Sequence, residues 1–262
     1  MTILMEVVAE QWEYRELLVR MTARDLLLRY KQTVMGFGWA IFMPLVNTAV
    51  FSVIFTRVAP LEVDMPYPLF AYCGLLAWNF TASSLRFSVN SLTSNSNLVT
   101  KVYFPREIFP ISAVAVSLVD FLVGAIVLVG LMVYYRVMPT AALAGLPWVL
   151  AVHVMFTASI AMLLAMGNLF YRDVKYLFEI IITVWMFLSA VLYPVSAVGG
   201  LAGRVMALNP MTPILDGYRD ILLRGRLPNP DTFLWTTIES IVLLAVTWLV
   251  FHRAECEFAE NV

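Results

Sequence analysis

Residues 108–135 read IFPISAVAVSLVDFLVGAIVLVGLMVYY, an apolar run in which Asp120 is the one charged side chain. A helix needs about 20 mostly apolar residues to cross the hydrocarbon core of a bilayer. This run is long enough to do so with tilt. Five more stretches of comparable size flank it. The expected spans are Gly38–Val58, Tyr67–Val89, Ile108–Tyr135, Gly145–Phe170, Tyr176–Pro194 and Phe233–Phe251. Composition agrees: 61% of the 262 residues are hydrophobic and 13% are charged, where soluble chains average about 45–50% and about 25%. Mean hydropathy is +0.82. These figures exclude a soluble domain and a disordered chain, and the expected fold class is an all-α, polytopic membrane protein with six transmembrane helices.

The scarce charges orient the bundle. With the N-terminus inside, ten of the 17 Lys and Arg residues fall in inner segments and six in outer loops, with Arg86 in a span. That bias follows the positive-inside rule and puts both termini in the cytoplasm. Before the first span, Glu13, Glu16, Arg20, Arg24 and Lys31 form one polar helical stripe, and Trp12, Val19, Ala23, Leu26 and Tyr30 form another face. An aromatic anchor beside a charged stripe predicts a helix lying in the inner membrane interface. The charges within this segment interrupt any cleavable apolar leader.

Several chemistries lack their motifs. The sequence holds no G-x-x-x-x-G-K-[ST], H-E-x-x-H or G-x-S-x-G stretch, so a P-loop nucleotide site, a zincin and an α/β-hydrolase nucleophile are all missing. Two histidines and two cysteines, Cys73 and Cys256, give no metal site or disulfide framework. A net charge of −1 gives no basis for nucleic-acid binding. No catalytic residues are assigned.

Charges inside the spans are expensive on insertion scales and should face protein or water. Asp120 is therefore a candidate proton or cation site, a partner for Arg86, or a hydrogen-bonded tie between two helices. Arg86 and Glu179 lie near span ends, where long side chains reach the interface. His153 and Glu239 enter their spans at similar depth and could pair. Asn47 and Asn79 suit helix–helix hydrogen bonds.

The connections carry the more specific signal. Residues 29–45 read RYKQTVMGFGWAIFMPL, 91–110 read SLTSNSNLVTKVYFPREIFP, 168–176 read NLFYRDVKY and 208–225 read LNPMTPILDGYRDILLRG. In this order and topology they resemble the permease subunit of type-2 ABC exporters. Within that group they are similar to the branch exporting O-antigen, capsule and teichoic-acid polysaccharides. The likeness spans residues 10 to 250, and the sugar polymer itself is not written in these motifs.

The resemblance implies a single transmembrane domain over residues 1–262. It would comprise an interface helix and lead-in (1–37), a six-span bundle (38–251) and a cytoplasmic tail (252–262). Two copies would pair in the bacterial inner membrane, each with a cytoplasmic ATPase subunit, so that ATP and Mg sit on the partner and this chain binds no cofactor. The substrate would be a polyprenyl-linked glycan moved outward. Asn97, Leu98, Lys101, Val102, Tyr103 and Arg106 would form a coupling helix between spans two and three that meets the ATPase. Arg29 and Lys31 would take the lipid diphosphate, since guanidinium suits bidentate phosphate contacts. Asn209, Pro210, Pro213, Tyr218 and Arg219 would belong to an outer gate built from short re-entrant helices. Rings stack on the apolar faces of sugars, so Trp39, Phe42, Phe51, Phe55, Trp78, Phe80, Trp185 and Phe187 are candidates for a glycan path.

Three other readings stay open at this stage. One is a permease of the same plan for small drugs or antibiotics. Another is an integral enzyme on lipid-linked sugars, with Asp120 and Glu239 as its carboxyls. The third is a proton-driven transporter resting on Asp120.

Overall fold

A computed structural model describes residues 12–61, 63–101 and 104–261. Among these every regular element is helical. The N-terminal helix α1 (Arg15–Tyr30) ends where Lys31 turns extended and Gln32 takes φ +65°. Helix α2 (Gly38–Val53) carries Pro44 within it and loosens into a π turn at Ile54–Val58. Then come α3 (Tyr67–Val89), two short pieces α4 (Ser91–Ser94) and α5 (Ser96–Lys101), and the long α6 (Ile108–Tyr134). A 3₁₀ turn leads into α7 (Leu146–Phe170), followed by α8 (Val174–Leu188), α9 (Gly200–Leu208) and α10 (Met211–Arg219). The last helix, α11, runs Pro230–Asn261.

Among the described residues, four helical stretches are long and apolar enough to cross a membrane: Gly38–Val58, Ile108–Tyr134, Ala141–Phe170 and Pro230–Glu255. Of the other two expected spans, Tyr67–Val89 forms a helix with those bounds, α3, and Tyr176–Pro194 is cut short. Helix α3 has the length but a mixed composition, and its place explains this. It is the buried centre of the bundle, packed along α6, α7, α2 and α10. There Thr81, Ser84 and Ser88 face protein on every side, and small polar residues allow close helix approach.

Helix α8 stops at Leu188, short of the expected Pro194. The chain turns at Ser189, Ala190 adopts φ +53°, and Ser189–Leu192 lie buried. At ~1.5 Å per residue its 15 residues span roughly 22 Å, less than a ~30 Å hydrocarbon core. In the other direction, α11 continues through His252 to Asn261, so the expected tail is an extension of the last helix.

Three apolar clusters organise the packing. The largest joins α3, α6, α7 and α10. The second gathers Met21, Val99, Phe104, Phe109, Leu169, Phe251 and Phe258 at the end of the bundle where α1 lies. It locks the 91–110 connection between the foot of α6 and the end of α11. The third packs Phe51 and Phe55 against Tyr67 and Phe70.

Helix α1 is tied down along its length by polar contacts. Arg24 Nη2 donates to Asn95 Oδ1 at 3.1 Å, and Ser112 Oγ donates to Asp25 Oδ2 at 2.9 Å. Trp12, Val19, Leu27 and Leu28 remain exposed. Helices α8 and α11 likewise leave apolar side chains exposed, among them Ile180, Ile181, Val184, Ile238, Val242 and Val246.

Candidate functional site

Between α1, α2, α3 and α6 lies a cavity of about 430 Å³. Apolar helices crossing a bilayer have no reason to enclose polar groups unless something polar is to be held, yet this cavity is lined by Arg29, Tyr30, Asn47, Asn79, Arg86 and Asp120. A second cavity of about 400 Å³ lies toward Asp25, Asn90 and Asn95, and Arg29 and Arg86 line both. The two guanidinium groups thus stand at the junction of the two cavities.

The end of α1 places the key contacts. Arg29 and Tyr30 are its last two residues, and together they take both oxygens of Asp120 on α6. The Tyr30 hydroxyl donates to Oδ1, and Arg29 Nη1 pairs with Oδ2. Burial, and then the hydrogen bond to Asp120, push the Tyr30 phenol well above its usual range, so it remains a donor. The Arg29 guanidinium also lies 3.9 Å from the Phe87 ring centroid. Arg86 pairs instead with Glu179 on α8, Nε to Oε2 at 3.3 Å, both side chains being about half exposed (49% and 55%). Asp120 is therefore partnered by Arg29, and the Arg86 alternative falls away. Lys31, expected to act with Arg29, is exposed and does not line either cavity.

Two of the eight aromatics expected on a glycan path, Trp39 and Phe80, line the first cavity. Phe42 meets Trp39 edge-on at 5.9 Å and faces outward. Phe51 and Phe55 belong to the third apolar cluster. Trp78 and Trp185 pack edge-to-face at 5.6 Å in the core, with Phe156 beside Trp185, while Phe187 is exposed. Spacing along a helix cannot separate these fates; only neighbours do.

The segment expected to form an outer gate is tightly bonded. Asn209 Nδ2 donates to Leu188 O (3.0 Å) and Ser189 Oγ (2.8 Å). Its Oδ1 accepts from Trp185 Nε1 and Met211 N, both at 3.1 Å. Pro210 and Pro213 sit at the start of α10, where a missing N–H removes no helical bond. Arg219 is fully buried. It donates Nη1 to Ala190 O at 3.0 Å and Nη2 to Val191 O at 2.7 Å, capping the break after α8. A Cβ at Gly74 would overlap both that guanidinium and the Val191 carbonyl.

Tyr218 contacts His153 Nδ1 at 3.2 Å, and His153 Nε2 contacts Thr81 Oγ1 at 2.7 Å. His153 is thus engaged with α3 and α10 rather than with Glu239, which lines a separate apolar cleft beside Phe156 and Pro210. Asp120 and Glu239 do not share a cavity, so the carboxyl pair of the enzyme reading is not assembled. Beyond α10, a π turn at Asp220–Arg224 ends at Gly225, whose φ of +68° suits glycine. Arg224 there bonds Asp64 at 2.7 Å. That hydrogen bond holds the Asp64 carboxyl below its usual value and raises Arg224.

In the connection expected to couple to an ATPase, Asn97 is exposed, Leu98 half-buried and Val99 buried. Val102, Tyr103 and the Lys101 side chain lie outside the described residues. Arg106 is turned inward: its backbone N–H donates to Glu255 Oε1 at 2.9 Å, Nη1 to Glu255 O, and Nη2 to Val99 O at 3.1 Å. It braces the connection against α11. Glu107, His252 and Glu255 offer one ligand atom each within 4.8 Å, a spacing compatible with a divalent cation. Sequence reasoning missed this cluster, and the part of Arg86 at the cavity junction. The only hint was that three of these four residues are charged in an apolar chain.

Comparison with known proteins places the architecture. The ABC-2 type transporter family profile matches residues 16–223. An O-antigen export system permease protein RfbA of Myxococcus xanthus is 30% identical over 262 residues, 99% of this chain and all of that protein. Two proteins of the same description from Klebsiella pneumoniae are 29% and 28% identical, over 94% of each chain. A family match over most of the chain, with relatives aligned nearly end to end, leaves one conclusion: the chain belongs to the ABC-2 type transporter family.

Proposed function

We propose that this chain is the membrane-spanning permease subunit of an ATP-driven exporter that moves a lipid-linked polysaccharide outward across the bacterial inner membrane. Two copies pair, each served by a cytoplasmic ATPase subunit that binds ATP and Mg. In this reading α3 and α8 also cross, α8 being completed by the buried turn that follows it, and six crossings leave both termini in the cytoplasm. The observation that carries this reading is the polar cavity at the end of α1, with two arginines at its mouth and Trp39 and Phe80 on its walls. Guanidinium groups recognise phosphate, and the rings offer faces to sugar. The names of the relatives supply the substrate class. The absence of a P-loop from the sequence assigns hydrolysis to a partner. The 91–110 connection, braced by Arg106, is where that partner docks, and the Asn209–Arg219 segment is the outer gate.

The test is reconstitution. Co-expressed with its cognate ATPase subunit, the chain should move labelled lipid-linked glycan across inverted vesicles only when ATP is present. ATP hydrolysis by the purified chain alone would overturn the assignment.

A further inference from the structure

Asp120 is the one charged residue of α6, and the groups it holds are those a phosphate would use. A guanidinium and a phenolic hydroxyl close on its two oxygens, and both are donors to oxyanions. Both line the first cavity, and Arg29, like Arg86, lines the second as well. Among the described residues Arg86 is held by a half-exposed ion pair with Glu179, and such pairs exchange readily. Asn79, Ser83 and Ser117 line the wall beside the carboxylate. A carboxylate engaged by an arginine and a tyrosine, with polar space next to it and a second arginine at hand, has the form of an anion site already filled from within.

We propose that Asp120 is an internal stand-in for the phosphate of the substrate. In the empty protein it neutralises Arg29. In the loaded protein a phosphate oxyanion takes Arg29 and Arg86, while Asp120 keeps the Tyr30 hydroxyl. This rests on the function proposed above and assigns it a headgroup site of two arginines. The carboxylate then faces the bound anion and makes the site shallow. A transporter needs that property, because binding must be favourable enough to admit the cargo and weak enough to release it. The alternative, a carboxylate that only ties α1 to α6, predicts that α1 loosens when Asp120 is neutralised. Ser112–Asp25 and Arg24–Asn95 hold the same helix independently, so neutralising Asp120 leaves α1 docked.

The experiment measures binding of farnesyl diphosphate to the full chain, with its ATPase partner, in nanodiscs of zwitterionic lipid. Asp120→Asn keeps an acceptor for Tyr30 and removes the competing charge, and should tighten binding about tenfold, or ~1.4 kcal/mol. The double variant Asp120→Asn, Arg29→Gln should lose that gain. Inorganic pyrophosphate run alongside identifies the source. Tighter binding of the farnesyl compound places the ligand in the membrane, and equal binding places it in the cytoplasm; either supports the anion site. Unchanged or weaker binding in Asp120→Asn overturns the proposal. Should that variant unfold early, Arg29→Gln alone decides: it must weaken farnesyl diphosphate binding about tenfold and leave binding of neutral farnesol unchanged, and equal retention of both overturns the site. If Asp120→Asn binds no tighter while the wild type still exports glycan, only this inference fails. If the wild type neither binds the diphosphate nor exports glycan, the underlying function fails with it.

Discussion

Replacing Arg219 by methionine tests whether one buried cation holds the α10 end of the bundle. Methionine keeps the long apolar stem and removes every N–H donor. The Ala190 and Val191 carbonyls then lose donors at 3.0 and 2.7 Å, and a buried acceptor left without its partner costs about 1–3 kcal/mol. The guanidinium also lies 3.7 Å from the Phe70 ring centroid, a contact worth ~0.5–2 kcal/mol. Opposing these losses, removing a buried charge returns part of its desolvation penalty, several kcal/mol in real proteins. Asp216, 3.3 Å away and 42% exposed, is rehydrated rather than stranded. The net expectation is a loss of about 3 kcal/mol.

Chemical unfolding of the purified chain in detergent, followed by tryptophan fluorescence, measures that loss. Arg219→Lys should fall between wild type and Arg219→Met, since one ammonium cannot serve both carbonyls as a planar fork does. Gly74→Ala should destabilise as well. Elsewhere in a helix that change gains roughly 0.5–1 kcal/mol, but here the new Cβ would displace the same guanidinium and carbonyl. The sign is therefore reversed by one contact. A loss below about 1 kcal/mol for Arg219→Met, or a stabilising Gly74→Ala, would refute the reasoning.

Asn209→Ala removes three hydrogen bonds that tie the start of α10 to the end of α8, and a fourth that caps α10 at Met211. It should lower stability by ~2–3 kcal/mol and raise thiol labelling of a cysteine placed at Ser189, and unchanged labelling would count against a gate pinned at that point. Asp64→Asn should matter little and only above about pH 4. The Arg224 hydrogen bond holds the Asp64 carboxyl below its usual value, so its contribution is present above the unfolded pKa and lost as pH falls through the folded one. With Asp64 56% exposed, the effect should stay under ~1 kcal/mol, read as the difference between pH 7 and pH 3 unfolding curves of the two proteins.

The long apolar helices were legible because crossing a bilayer leaves a local signature. Gly38–Val58 and the run from Ile108 are found at the ends the sequence predicts. Helix α3 was legible as a helix, but its burial was not, since small polar residues suit both an exposed face and a tightly packed centre. The end of α8 was hidden for a related reason. Ser189–Tyr193 is nearly as apolar as the helix before it, and the turn depends on a guanidinium 28 and 29 residues farther along the chain that caps two freed carbonyls.

The same division runs through the site. Sequence by itself determined a membrane-embedded helical chain, its family likeness, and the rule that a carboxylate in an apolar span must have a partner. It also put Arg29 near the end of an N-terminal helix, which α1 is. Tertiary structure alone decided that the partner is Arg29 with Tyr30, 90 residues from Asp120 in the case of Tyr30, and that Arg86 shares the cavity mouth. It decided as well that Trp39 and Phe80 face that space while Trp78 and Trp185 pack away from it. Hydrophobic periodicity is written within a few turns of helix, whereas ion pairs and cavities arise between helices far apart in the chain, where only packing fixes which side chains meet.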